Sequence, residues 1–411
     1  MKKRLVVCGG GNSSHILIPF LKDSIFDVYV YTSRPEKWSN TINMEWQDAS
    51  GKVLDTYVGE IKKASSDPKE LFPDADYVVF CMPVHKYRVC LHEIAPYLNK
   101  EKDVFVCTLY SQGGWNWMVD EIKREYGLNN IVTFAFGLIP WICRIKEYGH
   151  TGVVYGVSKD ANFACVQPLH YFDQVTEELI KPITQNRIVH ERVEQSKHFI
   201  SLTFSADNQI IHTSRCLGLF KVNGKEWNRK EDVPWFYKDW DDVSADILRD
   251  LDAEYTLIRN KFKSTYPDKD FNYMRDYMEL ERFGYNCEIT DIKASFSDFG
   301  TLDAIATPVV QNEHGKWEID KTHRFFLDDI FYGVCIAKWF AEKFELETPT
   351  INEILRWAQL MRGERIISDD NHMLVDSPDL AQPLKTGIPS VYGFKTIDDC
   401  INRDCNLLII G

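Results

Sequence analysis

"RLVVCGGGNSSHILIPFL", residues 4–21, is the stretch on which the fold of this chain turns. Residues 4–8 are an apolar run that reads as a short buried strand. Gly9-Gly10-Gly11-Asn12-Ser13-Ser14 follows as a GxGxxG-type turn with Ser in its third position. Residues 13–23 then carry apolar side chains at helical spacing, Ile16, Leu17, Ile18 and Leu21 among them. Glycines permit a tight turn and close approach of the backbone to a ligand, while a helix N-terminus offers unpaired N–H groups to a pyrophosphate. A second strand over residues 27–31 comes at the distance a βαβ unit requires. The pattern predicts a dinucleotide-binding turn in which Gly9, Gly10, Gly11, Asn12 and Ser13 contact the cofactor.

The end of that second strand bears on which dinucleotide is bound. Folds that prefer NADH place Asp or Glu there to accept hydrogen bonds from the ribose hydroxyls. Here the residues are Thr32-Ser33-Arg34, with no carboxylate before Glu36. Hydroxyls and a guanidinium suit a 2′-phosphate, so NADPH is the expected cofactor and NADH the second choice. A solvated Arg in a loop is the plain alternative.

Further strand-like runs at 77–82, 104–109 and 131–136 alternate with helical patterns, which points to a mostly parallel sheet. Such sheets bind ligands beyond the C-terminal ends of their strands. Pro83 and Gln112 fall at two of those ends and are expected to line the nicotinamide half of the cleft.

The bulk properties agree with an α/β domain joined to a second one. The chain has 411 residues, 44% of them apolar and 27% charged, with a formal net charge of −13. That composition supports ample core, and the acidic balance disfavours broad contact with nucleic acid or anionic lipid. Gly9-Gly10-Gly11 interrupts the first apolar stretch, so no signal peptide is legible, and no run of about 18 apolar residues could span a bilayer. The 11 cysteines are scattered and form no CxxC pair. Buried reduced thiols in a cytoplasmic protein are therefore expected, with no metal site.

After about residue 190 the character changes. Amphipathic helical patterns run over 192–219, 241–266 and 328–344, separated by aromatic-rich loops such as 234–240. The expected architecture is a Rossmann-type dinucleotide-binding domain over 1–192 and a mainly α-helical catalytic and substrate domain over 193–411. Two spots stand out in the helical half: His212, preceded by Ile210-Ile211, and Arg324-Phe325-Phe326-Leu327-Asp328-Asp329. Read alone, a hydrogen-bonded core His and a helix-start Arg–Asp pair account for both.

In order along the chain, "CGGGNSSH" (8–15), "IPWICRIKEYG" (139–149), His212, "RFFLDDIFYG" (324–333), "PTINEILRWAQ" (349–359) and "YGF" (392–394) resemble the octopine/nopaline-type opine dehydrogenases. The resemblance spans the chain and is closest to the octopine dehydrogenase branch. It implies reductive condensation of an α-amino acid with an α-keto acid such as pyruvate, with a nicotinamide hydride reducing the imine. It further implies His212 as general acid/base, Asp329 as the carboxylate that orients it, with Asp328 as rival, and Arg324 as the group that binds the keto-acid carboxylate. Gln112 joins Arg324 as a substrate-side residue. An imidazole suits proton transfer near neutral pH, and a forked guanidinium suits a planar carboxylate.

Three departures are visible. Thr213 and Phe331 stand where the family commonly has Pro, and Gly137-Leu138 stands where octopine dehydrogenase-like sequences carry a Glu-Thr pair. The last removes a carboxylate that an arginine donor would use. It points to an uncharged or apolar amino acid, or to a donor read by the 235–240 loop. A hydroxyacid or glycerol-3-phosphate-type dehydrogenase on the same fold would want a catalytic Lys, for which Lys197 is the early-helix candidate. A non-catalytic dinucleotide-binding regulator is the third reading. The expected partners are an amino acid and an α-keto acid, in a monomer or homodimer.

Overall fold

The opening run forms strand β1 (Lys3–Cys8), and the helix behind the glycine turn spans Ser14–Phe20. That helix ends sooner than residue 23 and contains Pro19, which leaves the His15 carbonyl without its helical donor. The computed structural model describes all residues except 1, 49, 157–159, 206–207, 286–287, 298–301, 304, 371, 375–385 and 407–411, and the side chains of 297 and 403–406.

Strands β2 (Phe26–Tyr31), β3 (Thr41–Gln47), β4 (Val53–Glu60), β5 (Lys63–Ser65), β6 (Tyr77–Phe80), β7 (Val104–Thr108), β8 (Ile131–Phe136), β9 (Ile142–Glu147), β10 (Thr151–Gly156), β11 (Ala161–Gln167) and β12 (Arg192–Gln195) complete the N-terminal half. Eight of these strands form one sheet in the order β12-β11-β8-β7-β6-β1-β2-β5. β1 pairs in parallel with β2 on one side and β6 on the other. The chain therefore reverses its direction of travel across the sheet at β1, which opens a crevice at the C-terminal ends of β1 and β6. A smaller sheet, β4-β3-β10-β9, packs beside the opening helix.

Side-chain alternation builds two cores. Val6 and Cys8 point into one with Val78, Phe80 and Val106, and Leu5 and Val7 into the other with Tyr77, Val79 and Cys107. The first core continues into the helical half through Phe204, Leu217, Tyr255 and Phe340. The two halves thus share apolar packing.

The helix expected over 192–219 is not formed as one element. Residues Arg192–Gln195 are strand β12, parallel to β11, and the strand straddles the expected division at 192/193. Helices follow at Phe199–Phe204 and Asn208–Asn223. Pairing with an open sheet edge outweighs the local helical pattern, a preference that periodicity cannot register. The long helix over Asp242–Thr265 matches expectation and is capped by the Asp241 carboxylate, which accepts from the Ser244 N–H at 2.7 Å. The third helix begins earlier than expected, at Arg324, and contains a π-helical stretch over Leu327–Val334 before regular turns at Cys335–Lys343. No described helix is long and apolar enough to cross a membrane. Nine described cysteines are buried.

Candidate active site

The glycine turn meets the sheet at the crevice. Gly9 has φ of +103°, and a Cβ there would stand 2.8 Å from the carbonyl oxygen of Cys81; at Gly11 the distance would be 2.7 Å. Only glycine lets the turn close this tightly on the end of β6. Asn12 and Ser13 continue the wall, and the Asn12 Oδ1 accepts from the Ile145 N–H at 2.9 Å, tying the turn to β9. Gly11, Asn12, Ser13 and Pro83 line a cavity of about 310 Å³ that Gln112 and Arg324 also line. At Gly10 a Cβ would stand 2.3 Å from the hydroxyl of Tyr148. A Gly-rich turn over a crevice at a strand-order reversal, with Gly11, Asn12, Ser13 and Pro83 in its wall, could hold a dinucleotide.

At the end of β2, Thr32 is buried, with its Oγ1 3.3 Å from the Tyr148 hydroxyl, while Ser33 and Arg34 are exposed. The Arg34 guanidinium lies over the Tyr148 ring, 4.0 Å from its centre. This stacking holds a cation at the edge of the crevice without a carboxylate partner among the described residues.

The helical domain brings His212 and Asp329 together across 117 residues of sequence. His212 Nδ1 is 2.7 Å from Asp329 Oδ2, and each side chain is 1% exposed. The Gln112 side-chain amide donates to Asp329 Oδ1, so Gln112 reaches from the dinucleotide domain onto the carboxylate. With Nδ1–H donating to Asp329, His212 Nε2 carries a lone pair, and the Tyr237 hydroxyl, 2.8 Å away, donates to it. The imidazole stacks on Phe325 with ring centres 3.8 Å apart.

Asp328 has a different task. Its Oδ1 lies 2.5 Å from His85 Nδ1, and its Oδ2 accepts from the Val84 N–H at 3.2 Å. Neighbouring helix residues point about 100° apart, so one aspartate holds the turn after Pro83 and the other holds His212. The helix approach that allows this is close. A Cβ at Gly333 would stand 2.6 Å from both Cβ and Oε1 of Gln209, one turn from the His212–Asp329 contact.

Two residues of this site escaped sequence reasoning. Tyr237 lies in the aromatic loop and completes the hydrogen bonding of His212. Arg215 is fully buried and holds that loop: it donates to the carbonyls of Trp235, Phe236 and Asp239 at 2.8–2.9 Å, and pairs with Asp241 at 2.5 Å. Burial pulls its guanidinium below the usual range, and Asp241 opposes that shift. An Arg one helical turn past the His was the available signal. Arg144, on β9, lines the cavity with Arg324; burial and then the Arg324 charge lower it. Leu138 is core, whereas Glu281, from the helix Tyr277–Tyr285, lines the cavity. Lys197 is half exposed, sits 3.5 Å from Asp270 and does not line the cavity.

A dinucleotide crevice faced by a buried His–Asp pair and an arginine defines a two-domain NAD(P)-dependent oxidoreductase. Residues 195–362 match the family model of the NAD/NADP octopine/nopaline dehydrogenase α-helical domain. The chain is 22% identical to an opine dehydrogenase of Haliotis discus hannai over 98% of this chain and 99% of the relative. It is 24% identical to a tauropine dehydrogenase of Arabella iricolor over 97% and 99%. Its fold superposes on that of octopine dehydrogenase with NADH and L-arginine with a TM-score of 0.78, at 22% identity and 98% coverage of both chains. It also resembles the fold of NADP+-bound yersinopine dehydrogenase, with a TM-score of 0.62, 13% identity and coverage of 95% and 98%. The family match thus falls on the helical half, and the likeness to these relatives runs over nearly the whole chain.

Proposed function

We propose that this enzyme condenses an α-amino acid with an α-keto acid, pyruvate first, and reduces the resulting imine to an N-(carboxyalkyl)amino acid. The observation that carries this reading is the His212–Asp329 pair set behind a cavity that the glycine turn and Arg324 both line. The dinucleotide, when bound, supplies a hydride. Everything else falls to the chain. Arg324 binds the keto-acid carboxylate, and Arg144 is a second cation facing the same space. His212, fixed in tautomer by Asp329, holds the proton that turns the carbinolamine oxygen into a leaving water. Overall, ammonium, keto acid, reduced dinucleotide and one proton give secondary ammonium, oxidised dinucleotide and water.

Thr32, Ser33 and Arg34 support NADPH over NADH, because a guanidinium at the end of β2, stacked on Tyr148, is the kind of cation a 2′-phosphate would take as partner. The donor-side wall includes Tyr277, Tyr285, Phe296, Leu302 and Ile305, with the Glu281 carboxylate among them. Its aromatic and aliphatic part supports an apolar amino acid side chain, whereas Glu281 offers a cationic donor the carboxylate that Gly137-Leu138 does not supply. The deciding experiment follows NADPH oxidation with pyruvate against a panel of amino acids, each with and without the keto acid. Oxidation that requires both substrates is expected; oxidation with the keto acid alone would make the protein a carbonyl reductase.

A further inference from the structure

We infer that Tyr237 is a catalytic residue: its hydroxyl carries the proton between His212 and the substrate oxygen. The inference rests on the reductive-condensation reading for the identity of that oxygen. It starts from an arrangement the sequence does not disclose. His212 and Asp329 do not line the cavity; Tyr237, Phe325 and Arg324 do. The imidazole is sealed in, 1% exposed, with Phe325 stacked on its face and Asp329 on Nδ1. Its remaining nitrogen, Nε2, points at the Tyr237 hydroxyl 2.8 Å away. A proton leaving His212 along its own hydrogen bonds therefore arrives at the tyrosine oxygen.

The chemistry balances in both protonation states. In the charged state, Nδ1–H donates to Asp329 and Nε2–H donates to the Tyr237 oxygen, whose own O–H points toward the substrate. The carbinolamine hydroxyl takes the tyrosine proton, the C–O bond breaks with its electron pair leaving on oxygen, and water departs. Tyr237 simultaneously takes the Nε2 proton. What remains is neutral His212 accepting from a neutral tyrosine O–H, which the 2.8 Å separation of Nε2 and the hydroxyl equally suits. The proton is passed on as it is received, so no free tyrosinate forms in this step.

The loop is built to hold the hydroxyl there. Arg215, on the helix that carries His212, clamps three carbonyls of the loop on either side of Tyr237. The ring is buried, with Phe236 edge-on at 5.0 Å and Trp240 stacked at 6.5 Å between centres. A side chain that merely plugged the cavity before substrate entry would not need its oxygen aimed at Nε2.

The test is Tyr237→Phe, which removes one oxygen and keeps the ring, compared with Tyr237→Ala. Turnover, KM for each substrate and dinucleotide affinity are measured for both variants and the wild type. The expected result for Tyr237→Phe is a fall in kcat of about 100-fold, in the range of general acid–base contributions, with KM values and dinucleotide affinity within about threefold. Tyr237→Ala is expected to be no faster than Tyr237→Phe. Unchanged kcat in Tyr237→Phe, or Tyr237→Ala faster than wild type, would overturn the relay and make the residue a displaceable plug. A loss confined to KM would also overturn it, leaving a binding contact. If the wild type turns over with keto acid alone, the condensation reading fails, and the Tyr237→Phe to wild-type ratio in that reaction still decides the relay, because a carbonyl oxygen needs the same proton.

Discussion

Asp329 Oδ2 and His212 Nδ1 lie 2.7 Å apart, each on a helix of the C-terminal domain, and Gln112 of the dinucleotide domain donates to the other oxygen of the same carboxylate. The carboxylate that sets the imidazole tautomer is thus itself held from across the cleft. Asp328, beside it, is used up on Val84 and His85. Four predictions follow from contacts of this kind.

Asp329→Asn should reduce kcat by about 10²-fold or more, because an amide can present its N–H to Nδ1 and stabilise the wrong tautomer. Asp328→Asn should retain at least about tenfold more activity than Asp329→Asn, since its contacts lie on the Pro83 turn. Steady-state kinetics of the two variants check the assignment, and the opposite ranking would exchange the roles.

Gly333→Ala sets two effects against each other. Alanine in a helix gains about 0.5–1 kcal/mol over glycine. Overpacking costs about 1–3 kcal/mol, and here the new methyl would stand 2.6 Å from the Gln209 Cβ. Gln209 is tied by its amide to the Thr203 carbonyl at 3.0 Å and has little room to yield. The clash wins. A lower melting temperature and a weakened kcat, with dinucleotide affinity retained, are expected from thermal unfolding and kinetics.

Arg34→Ala should weaken NADPH binding by at least about tenfold while leaving NADH within about threefold, as loss of a guanidinium–phosphate pair requires. Titration of each dinucleotide reads this directly. An equal loss for both would place Arg34 away from the 2′ position.

The acid limb should involve His323. Its ring accepts from the Phe325 N–H at 3.3 Å and caps the helix that carries Asp329. Burial first, then the Arg324 and His212 charges, depress it to about 4. The unfolded chain, with an ordinary value near 6.5, binds this proton more readily than the folded protein does. Stability from this group is therefore complete above about pH 6.5 and is lost as pH falls toward about 4. His198, depressed by burial to about 4, adds a second proton over the same window. His323→Asn keeps a capping side chain and should flatten, without abolishing, the loss of melting temperature between those pH values.

Much of this was legible in one dimension. The β1 run, the glycine turn and β2 follow from local periodicity and turn chemistry, and the structure returns them with boundaries shifted by a residue or a few. The amphipathic pattern over 328–344 was visible at helical spacing, and Ile330, Val334 and Ala337 are buried there. The 192–195 segment was misread because an open edge at β11 recruited it as a strand, a contact outside any local window.

Residue type and spacing alone determined the α/β-plus-helical architecture, while the resemblance to opine dehydrogenases put His212, Arg324 and the Asp-Asp pair forward as chemistry. Periodicity and short-range sterics act over a few residues, which is why they can be read from the string. The separate contacts of Asp329 and Asp328, the reach of Gln112 across 217 residues, and the placing of Tyr237 between His212 and the cavity came from the folded molecule. Each depends on where two packed helices and a clamped loop bring side chains together, and on which way adjacent side chains turn. Those directions are set by long-range packing, which the order of residues implies only through the complete fold.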